Sequence, residues 1–325
     1  MKRAYPREAV AFAETVRAAL AELGGVDLAR RAEADPRVRR GEVQPVLRQV
    51  GLFDLVPMSS PVETMAAALA VREAGAVVCP WPWVPMLSVP PAARDRADGM
   101  YLLGGPPRRL EHLDLLTSPH GIDLAGQLTP LAASGPVTPA PLDPFGTPVA
   151  PPRSPKAHAE YGPAAVALWE VLTAFWVLGA LQTVAEHAYT HAATRKQFGQ
   201  VIGEFGAVRW RLADIAVACA GLEEIARYTL WLLTEGRVST TDVLALRVAT
   251  LEAGRVVLAE GHQVLAAIGL CDEHDVSIVD RHLQPALRRP FGLRTSLGQL
   301  VDRIPVEGFD ALFPIPPTGA GAQTP

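Results

Sequence analysis

The stretch ATRKQFGQVIGEFGAVRWRLADI (residues 193–215) joins two long apolar helical segments through one tight connection. Arg195 and Lys196 close the first segment, Phe198 and Gly199 follow, and a helical pattern resumes near residue 207. Two readings of the connection are open. Basic residues near a helix C-terminus meet the negative end of the macrodipole, and Gly199 can take the left-handed conformation just past a helix end. That accounts for Arg195, Lys196 and Gly199 as a cap. An arginine fork beside a turn with free backbone amides equally suits a pyrophosphate, and this reading also occupies Gln197 and Phe198.

Outward from the connection, the chain reads as mainly α. Val208, Leu212, Ile215, Cys219, Leu222, Ala226, Thr229 and Leu233 keep strict 4-3 spacing over 207–234, the seam of an antiparallel bundle or of a helix–helix oligomer interface. Residues 161–195 are apolar almost all round, which predicts a helix buried among others. A third helix is predicted over 240–268, with Leu244, Val248, Leu251, Leu258 and Leu265 on one stripe. Arg255 and His262 share that stripe, so polar groups are expected in its packed face. A shorter helix is expected over 291–303.

Upstream, 7–23 and 61–76 have helical apolar spacing, with Val10, Val16, Leu20 and Leu23 in the first. Ser60, Pro61 and Glu63 predict a capping box with proline at the first helical position, and Gly75 a stop. Residues 80–156 are proline-rich and exclude long helices. Within them MYLLGG, HLDLLTS and GIDLAGQL read as short strands. The predicted organisation is an N-terminal helical domain (1–95), a short β-rich middle region (96–156), a C-terminal helical bundle (157–313) and a disordered-like tail (314–325).

Composition narrows the function classes. The 325 residues are 49% hydrophobic with a formal net charge of −4, and no basic tract with interleaved aromatics argues for nucleic acid. Cys79, Cys219 and Cys271 are odd in number and far apart, which fits neither a disulfide framework nor a zinc site. Glu8 and Glu14 interrupt the apolar pattern at the start, so no signal peptide is read there. Glu170 and Gln182 interrupt the longest apolar run, so a buried helix is expected there rather than a membrane span, and a cytoplasmic location by default. Asparagine is absent and lysine occurs only at Lys2, Lys156 and Lys196, which heat adaptation and GC-rich coding explain equally well.

The order of motifs resembles the acyl-CoA dehydrogenase family. Arg195-Lys196-Gln197-Phe198-Gly199 matches the family's R-x-x-F-G turn. It is followed by Phe205-Gly206, Leu212-Ala213-Asp214, Gln263, the LAAIG segment ending at Gly269, Glu273 and Arg281. LRQVGLFDLVPMSS (47–60) and AVREAGAVVCPWPWVPML (70–87) look like two N-terminal family segments. The resemblance implies a helical domain, a β domain and an up-down four-helix bundle. It also implies FAD as cofactor, an acyl-CoA substrate and α,β-dehydrogenation, in a dimer or tetramer. By the same resemblance, Arg195, Gln197, Phe198, Phe205, Gln263, Ala266, Ala267 and Gly269 bind an FAD held mainly by a neighbouring subunit.

The departures carry as much information. The family's T-E-P-x-x-G-S-D flavin-seating segment is missing, and LTSPHGID (116–123) is at best a remnant. The position of one family base is Pro290 here. The other falls on Trp169, with Glu170 next to it, a rotation of about 100° on a helix. Glu170 is therefore the candidate catalytic base only in a shifted register. It is read either as a buried carboxyl of raised pKa or as a glutamate at the solvent edge. The family's Gly-Gly becomes Ala266-Ala267, and Gly206 replaces a glutamine.

Other candidates are weaker. His187 and His191 have the i,i+4 spacing of a two-histidine site, but no second element supports a metal. His262 reads as a packed or interface histidine, and Glu273 as structural or cofactor-proximal. GLRTSLG (292–298) supports no dinucleotide-binding claim. Some bacterial acyl-CoA dehydrogenases are heteromers in which a shorter subunit lacks the base but completes the FAD site. This chain resembles that shorter subunit, so its expected partner is a related acyl-CoA dehydrogenase subunit, in a homo- or hetero-oligomer. Two alternatives stand beside this: a self-sufficient dehydrogenase with Glu170 as base, and a non-enzymatic scaffold without FAD.

Overall fold

Ser60 opens the helix that organises the N-terminal packing in the computed structural model, which describes residues 4–150, 158–160, 162–309 and 315–318. The N-terminal helices are α1 (Arg7–Glu22), α2 (Asp27–Ala34), α3 (Gln44–Gln49), α4 (Pro61–Ala76) and α5 (Trp83–Leu87). Ser60 Oγ accepts from Glu63 N at 3.2 Å, as its sequence predicts. The Glu63 carboxylate does not return to Ser60. It accepts from Val56 N at 2.7 Å, so the cap is one-sided and Glu63 ties down the preceding loop.

Gly75 lies inside α4 rather than stopping it. A side chain there would strike the backbone of Trp176, and one at Gly179 the backbone of Arg72. The two glycines let α4 and the long helix crossing it meet backbone to backbone. On α1 the buried face is Ala9, Ala13, Val16 and Leu20. Val10 is exposed, so small alanines rather than the larger valine face α4 in this close packing.

The middle region contains β1 (Gly99–Leu102), β2 (Arg109–Glu111), β3 (Pro119–Ile122), β4 (Gln127–Pro130), β5 (Gly146–Pro148) and β6 (His158–Glu160). One sheet has the order β1-β3-β4-β6, with β1 parallel to β3 and the other pairs antiparallel, and β2 pairs with β5. The HLDLLTS segment is not a strand. His112 at φ +57 turns the chain, and Leu113–Leu115 form a short 3-10 turn. Leu113 is thereby buried with Tyr101 and Leu110.

The C-terminal half consists of α6 (Gly162–Thr194), the hairpin β7 (Lys196–Gln197) and β8 (Gln200–Val201), α7 (Gly206–Thr234), α8 (Thr240–Leu265), α9 (Asp275–Arg288) and α10 (Leu293–Glu307). Helices α6 to α9 form the up-down four-helix bundle, with α10 laid on α8. The seam on α7 is buried at Ile215, Leu222, Ala226, Thr229 and Leu233. Helix α6 is long and apolar enough to cross a bilayer, and 89% of its most apolar window is buried inside the protein. It is the central helix of a core that runs continuously from α1 through β1 and β3 to α9.

Two details of the bundle depart from expectation, the end of α8 and the place of Arg255. Helix α8 ends at Leu265, not 268, because Ala266 leaves helical dihedrals. Its start carries the complete capping box, Ser239 with Asp242, which uses aspartate in the glutamate position. Arg255 does not enter the packed face. It is exposed and pairs with Glu252 at 3.0 Å. The buried arginine of α8 is Arg247, discussed below. Most of the tail after 314 lies outside the described residues.

Candidate functional site

The connection after α6 is a tight hairpin. Lys196 faces Val201 and Gln197 faces Gln200, leaving Phe198 and Gly199 as the two turn residues. Both have positive φ, +52 and +85, the pattern that matches the twist of a two-residue hairpin. Gly199 thus serves the hairpin turn and is not a helix C-cap. Phe198 is 92% exposed, with its ring edge-on to Phe205 at 6.2 Å between centroids. A non-glycine residue in left-handed geometry costs about 1–2 kcal/mol, and the edge contact with Phe205 leaves nearly all of the phenyl ring in water. Arg195, Lys196 and Gln197 are exposed as well. Among the described residues no carboxylate lies within 4.0 Å of Arg195 or Lys196.

The second group of predicted residues lies at the end of α8. Gly261 packs against Val184, Arg211 pairs with Glu260, and Tyr189 Oη donates to Leu212 O. These contacts put the ends of α6 and α8 and the start of α7 at the same end of the bundle. Gln263, Ala266, Ala267 and Gly269 therefore share that end with Arg195, Gln197, Phe198 and Phe205. Ala266 has φ 55 and ψ −139, a backbone conformation normally left to glycine. The chain keeps the glycine-type bend although the glycine is gone. Gln263, Ala266 and Ala267 are exposed there, while Gly269 is buried against Leu265 and His262.

A third feature is a narrow cavity of about 60 Å³ between α5, α6, α9 and the β region. Trp169, Thr173 and Trp176 present one face of α6 to it, and Trp81, Trp83 and Phe145 supply further aromatic wall. Glu170 does not line the cavity. It is buried one position round the helix, and burial pushes its pKa from the usual 4.5 to about 7, with Arg247 opposing the shift. Among the described residues Glu170 Oε2 has no hydrogen-bond partner.

At its polar end the cavity is closed by an ion-pair cluster. Arg289 binds Glu111 and, at 2.5 Å, Asp143, which also takes Arg109 at 3.3 Å. Beside it Arg39, fully buried, grips Asp114 through two bonds of 3.0 and 2.6 Å and lies 4.7 Å over the Phe145 ring. Burial, with Arg39 and His282 nearby, holds His112 well below its usual pKa and therefore neutral at pH 7. Both carboxylates at the cavity, Glu111 and Asp143, are committed to arginine.

The 116–123 segment is equally committed. The amides of Thr117 and Ser118 donate to the Asp98 carboxylate at 2.5 and 2.9 Å, and Pro119–Ile122 are bound into the sheet as β3. His187 lies 3.8 Å from Asp275, with its ring against His274, and His262 pairs with Asp280 at 3.0 Å. Among the described residues no group of three His, Cys, Asp or Glu side chains could hold a metal. Glu273 is exposed, and its carbonyl accepts from Arg30. Sequence reasoning missed Arg247, Arg289 and the tryptophan wall. The CPWPW run was the one available signal for the wall.

Residues 170–289, which run from α6 to the end of the bundle, match the family model described as acyl-CoA dehydrogenase, C-terminal domain. Among individual proteins, acyl-CoA dehydrogenase IpdE2 of Mycobacterium tuberculosis (strain ATCC 25618 / H37Rv) is 30% identical over 108 residues. That match spans 33% of this chain and 32% of the relative's own length. The ChsE4-ChsE5 complex from Mycobacterium tuberculosis superposes with a TM-score of 0.74 at 15% identity, covering 94% of this chain and 99% of that one. PigA with FAD and proline superposes at 0.71 and 11% identity, over 94% and 99% of the two chains. At these identities the structural likenesses establish the fold.

Proposed function

We propose that this chain is a subunit of an FAD-dependent acyl-CoA dehydrogenase and lends one half of an FAD site to a related subunit across an interface. The observation that carries the reading is Phe198, held in left-handed geometry and left in water beside Arg195, which has no carboxylate partner among the described residues. Such an arrangement is explained by a second molecule that covers it. Arg195 would take the cofactor's pyrophosphate by charge-assisted hydrogen bonds, and Phe198 its adenine end. Gln197, Phe205 and Gln263 would flank it, with the backbone at Ala266, Ala267 and Gly269 close by. When bound, FAD supplies the two-electron oxidant for dehydrogenation of an acyl-CoA.

This chain's own residues favour the supporting role. The amides at 117 and 118 that would be the remnant of a flavin seat are taken by Asp98. The carboxylates at the cavity are tied to arginine. Trp210 and Val217, 74% and 72% exposed, lie seven residues apart on α7, an apolar face that suits a partner subunit. That one of the structural likenesses is a complex of two different chains supports the heteromeric form. The chain would act in the cytoplasm.

One observation favours a second reading, a self-sufficient enzyme with Glu170 as base: its pKa of about 7 suits proton abstraction near neutrality. Its position off the cavity wall counts against it. The test is co-expression with a full-length homologue, followed by a flavin absorbance spectrum of the purified protein. A yellow hetero-oligomer whose flavin content falls with Arg195→Ala is expected. A yellow, active protein purified alone and inactivated by Glu170→Gln would establish the second reading. A colourless protein that ignores the partner would leave only a scaffold.

A further inference from the structure

A separate groove of about 420 Å³ opens on the N-terminal side, between α3, the loop after it, α5 and the edge of the β region. This is within the range of small-molecule sites, about 300–1,000 Å³. Three arginines, Arg40, Arg48 and Arg94, line it over a floor that includes Phe53, Trp81 and Met86. Neighbouring arginines of the same region, Arg31 and Arg39, are matched to carboxylates. Among the described residues no carboxylate lies within 4.0 Å of Arg40, Arg48 or Arg94.

The geometry of each arginine leaves donors to spare. The π-helical turn Arg39–Val43 sends neighbouring arginines to different places. Arg39 goes inward to Asp114. Arg40 donates to the Asp114 carbonyl, at 3.0 Å, and faces the groove. Arg48 is exposed and stacks 5.7 Å from the Phe53 ring. Arg94 donates to Leu55 O at 2.8 Å, and its buried Nε has no partner. The negative groups nearby are committed. Asp98 holds the amides of Thr117 and Ser118, Glu63 holds Val56 N, and the Asp114 carboxylate holds Arg39.

The floor points to the rest of the ligand. Trp81 packs edge-on against Phe53 at 6.2 Å, and its buried Nε1 has no hydrogen-bond partner. Trp81 and Pro82 also wall the narrow cavity beside α6, so the groove and the cavity share one partition. A bare inorganic anion would leave the aromatic floor in water. A neutral lipid would leave three cations without counter-charge.

We infer that this groove binds an amphipathic organic anion, a single carboxylate or phosphate head on a short apolar chain. The head lies among Arg40, Arg48 and Arg94 and the chain over Trp81 and Met86. The site is independent of the FAD reading. Isothermal titration calorimetry of the purified chain, or of its complex with a partner, tests it with octanoate, octyl phosphate and octanol. One equivalent of an anion should bind, with octanol weaker by about tenfold or more, and salt should weaken the anions but not the alcohol. Tighter binding of octyl phosphate would identify a phosphate head, and of octanoate a carboxylate head.

Arg40→Ala with Arg48→Ala should weaken the anions by about tenfold while thermal unfolding stays unchanged, because both side chains are on the surface. Arg48→Glu alone should weaken them further. Absence of anion binding would overturn the inference. So would octanol binding as tightly as the anions, or unchanged affinity in the arginine variants.

Discussion

Glu170 on α6 and Arg247 on α8 are both buried in the packing of these two helices, and each leaves an atom there, Oε2 and Nε, without a hydrogen-bond partner. The guanidinium is occupied elsewhere. It donates to the carbonyls of Ala286, Leu287, Arg289 and Phe291, at 2.8, 3.4, 2.6 and 2.8 Å. It therefore caps the end of α9 and holds the Arg289 turn that closes the cavity. The carboxyl opposite is left poorly compensated, which is why burial dominates its pKa.

A pH dependence of stability follows. Below pH 4.5 the Glu170 carboxyl is neutral in the folded and unfolded chain alike. Between 4.5 and about 7 the unfolded chain ionises while the folded one keeps its proton, so this group's contribution falls as pH rises. Above about 7 the loss is complete, on the order of 3 kcal/mol for a shift of this size at about 1.4 kcal/mol per pH unit. Glu170→Gln should flatten this slope. Urea unfolding should find the variant little changed at pH 4 and more stable than wild type at pH 8. Equal stability at both pH values would mean the carboxyl is solvated.

Arg247 should be intolerant of substitution. Lysine keeps the charge but not the fork, and cannot serve four carbonyls spread over six residues. Arg247→Lys should destabilise by about 3 kcal/mol or more, since several buried acceptors lose their donors together. The measurement is the urea midpoint, with an unchanged m-value. Near-neutral behaviour would show that water replaces the guanidinium.

Ala266 offers the opposite sign. Its φ of 55 and ψ of −139 are costly for any residue with a side chain. Ala266→Gly should raise stability by about 1 kcal/mol despite the greater freedom glycine gives the unfolded chain. A rise of a few degrees in Tm is the expected readout. A fall would mean that the bend is not strained.

What the sequence made legible, and what it hid, divides along physical lines. The α7 seam could be read because it is periodic, and the Ser60 start because a cap is local. The hairpin at 196–201 was hidden by Gly199, which serves a helix end and a primed turn equally well. Helix α9 has Val276, Val279 and Leu283 at helical spacing, but the charged run CDEHD before it and Pro285 within it mask the pattern. Arg247 could not be picked out, since the carbonyls it caps come from a helix end about 40 residues further on. Arg255 fits the stripe better by spacing and is exposed. Glu170 could be named as a candidate, but which wall of α6 faces the cavity is a matter of rotation, and only the fold sets that.

Phe198 separates folding from function most directly. In the isolated chain its ring is 92% exposed and its backbone left-handed. Phe198→Gly should therefore leave the chain as stable as wild type or more so, by up to about 1 kcal/mol. In the assembled protein the same change removes the aromatic surface proposed for the adenine end of FAD, and flavin retention should fall by about tenfold or more. Arg195→Ala should lower retention further and make what remains less sensitive to salt. The comparison needs two measurements on each variant: thermal unfolding of the chain alone, and flavin content of the co-purified complex after dialysis. A Phe198→Gly protein that loses stability but keeps its flavin would reverse the assignment, making the hairpin a structural element and placing the cofactor elsewhere.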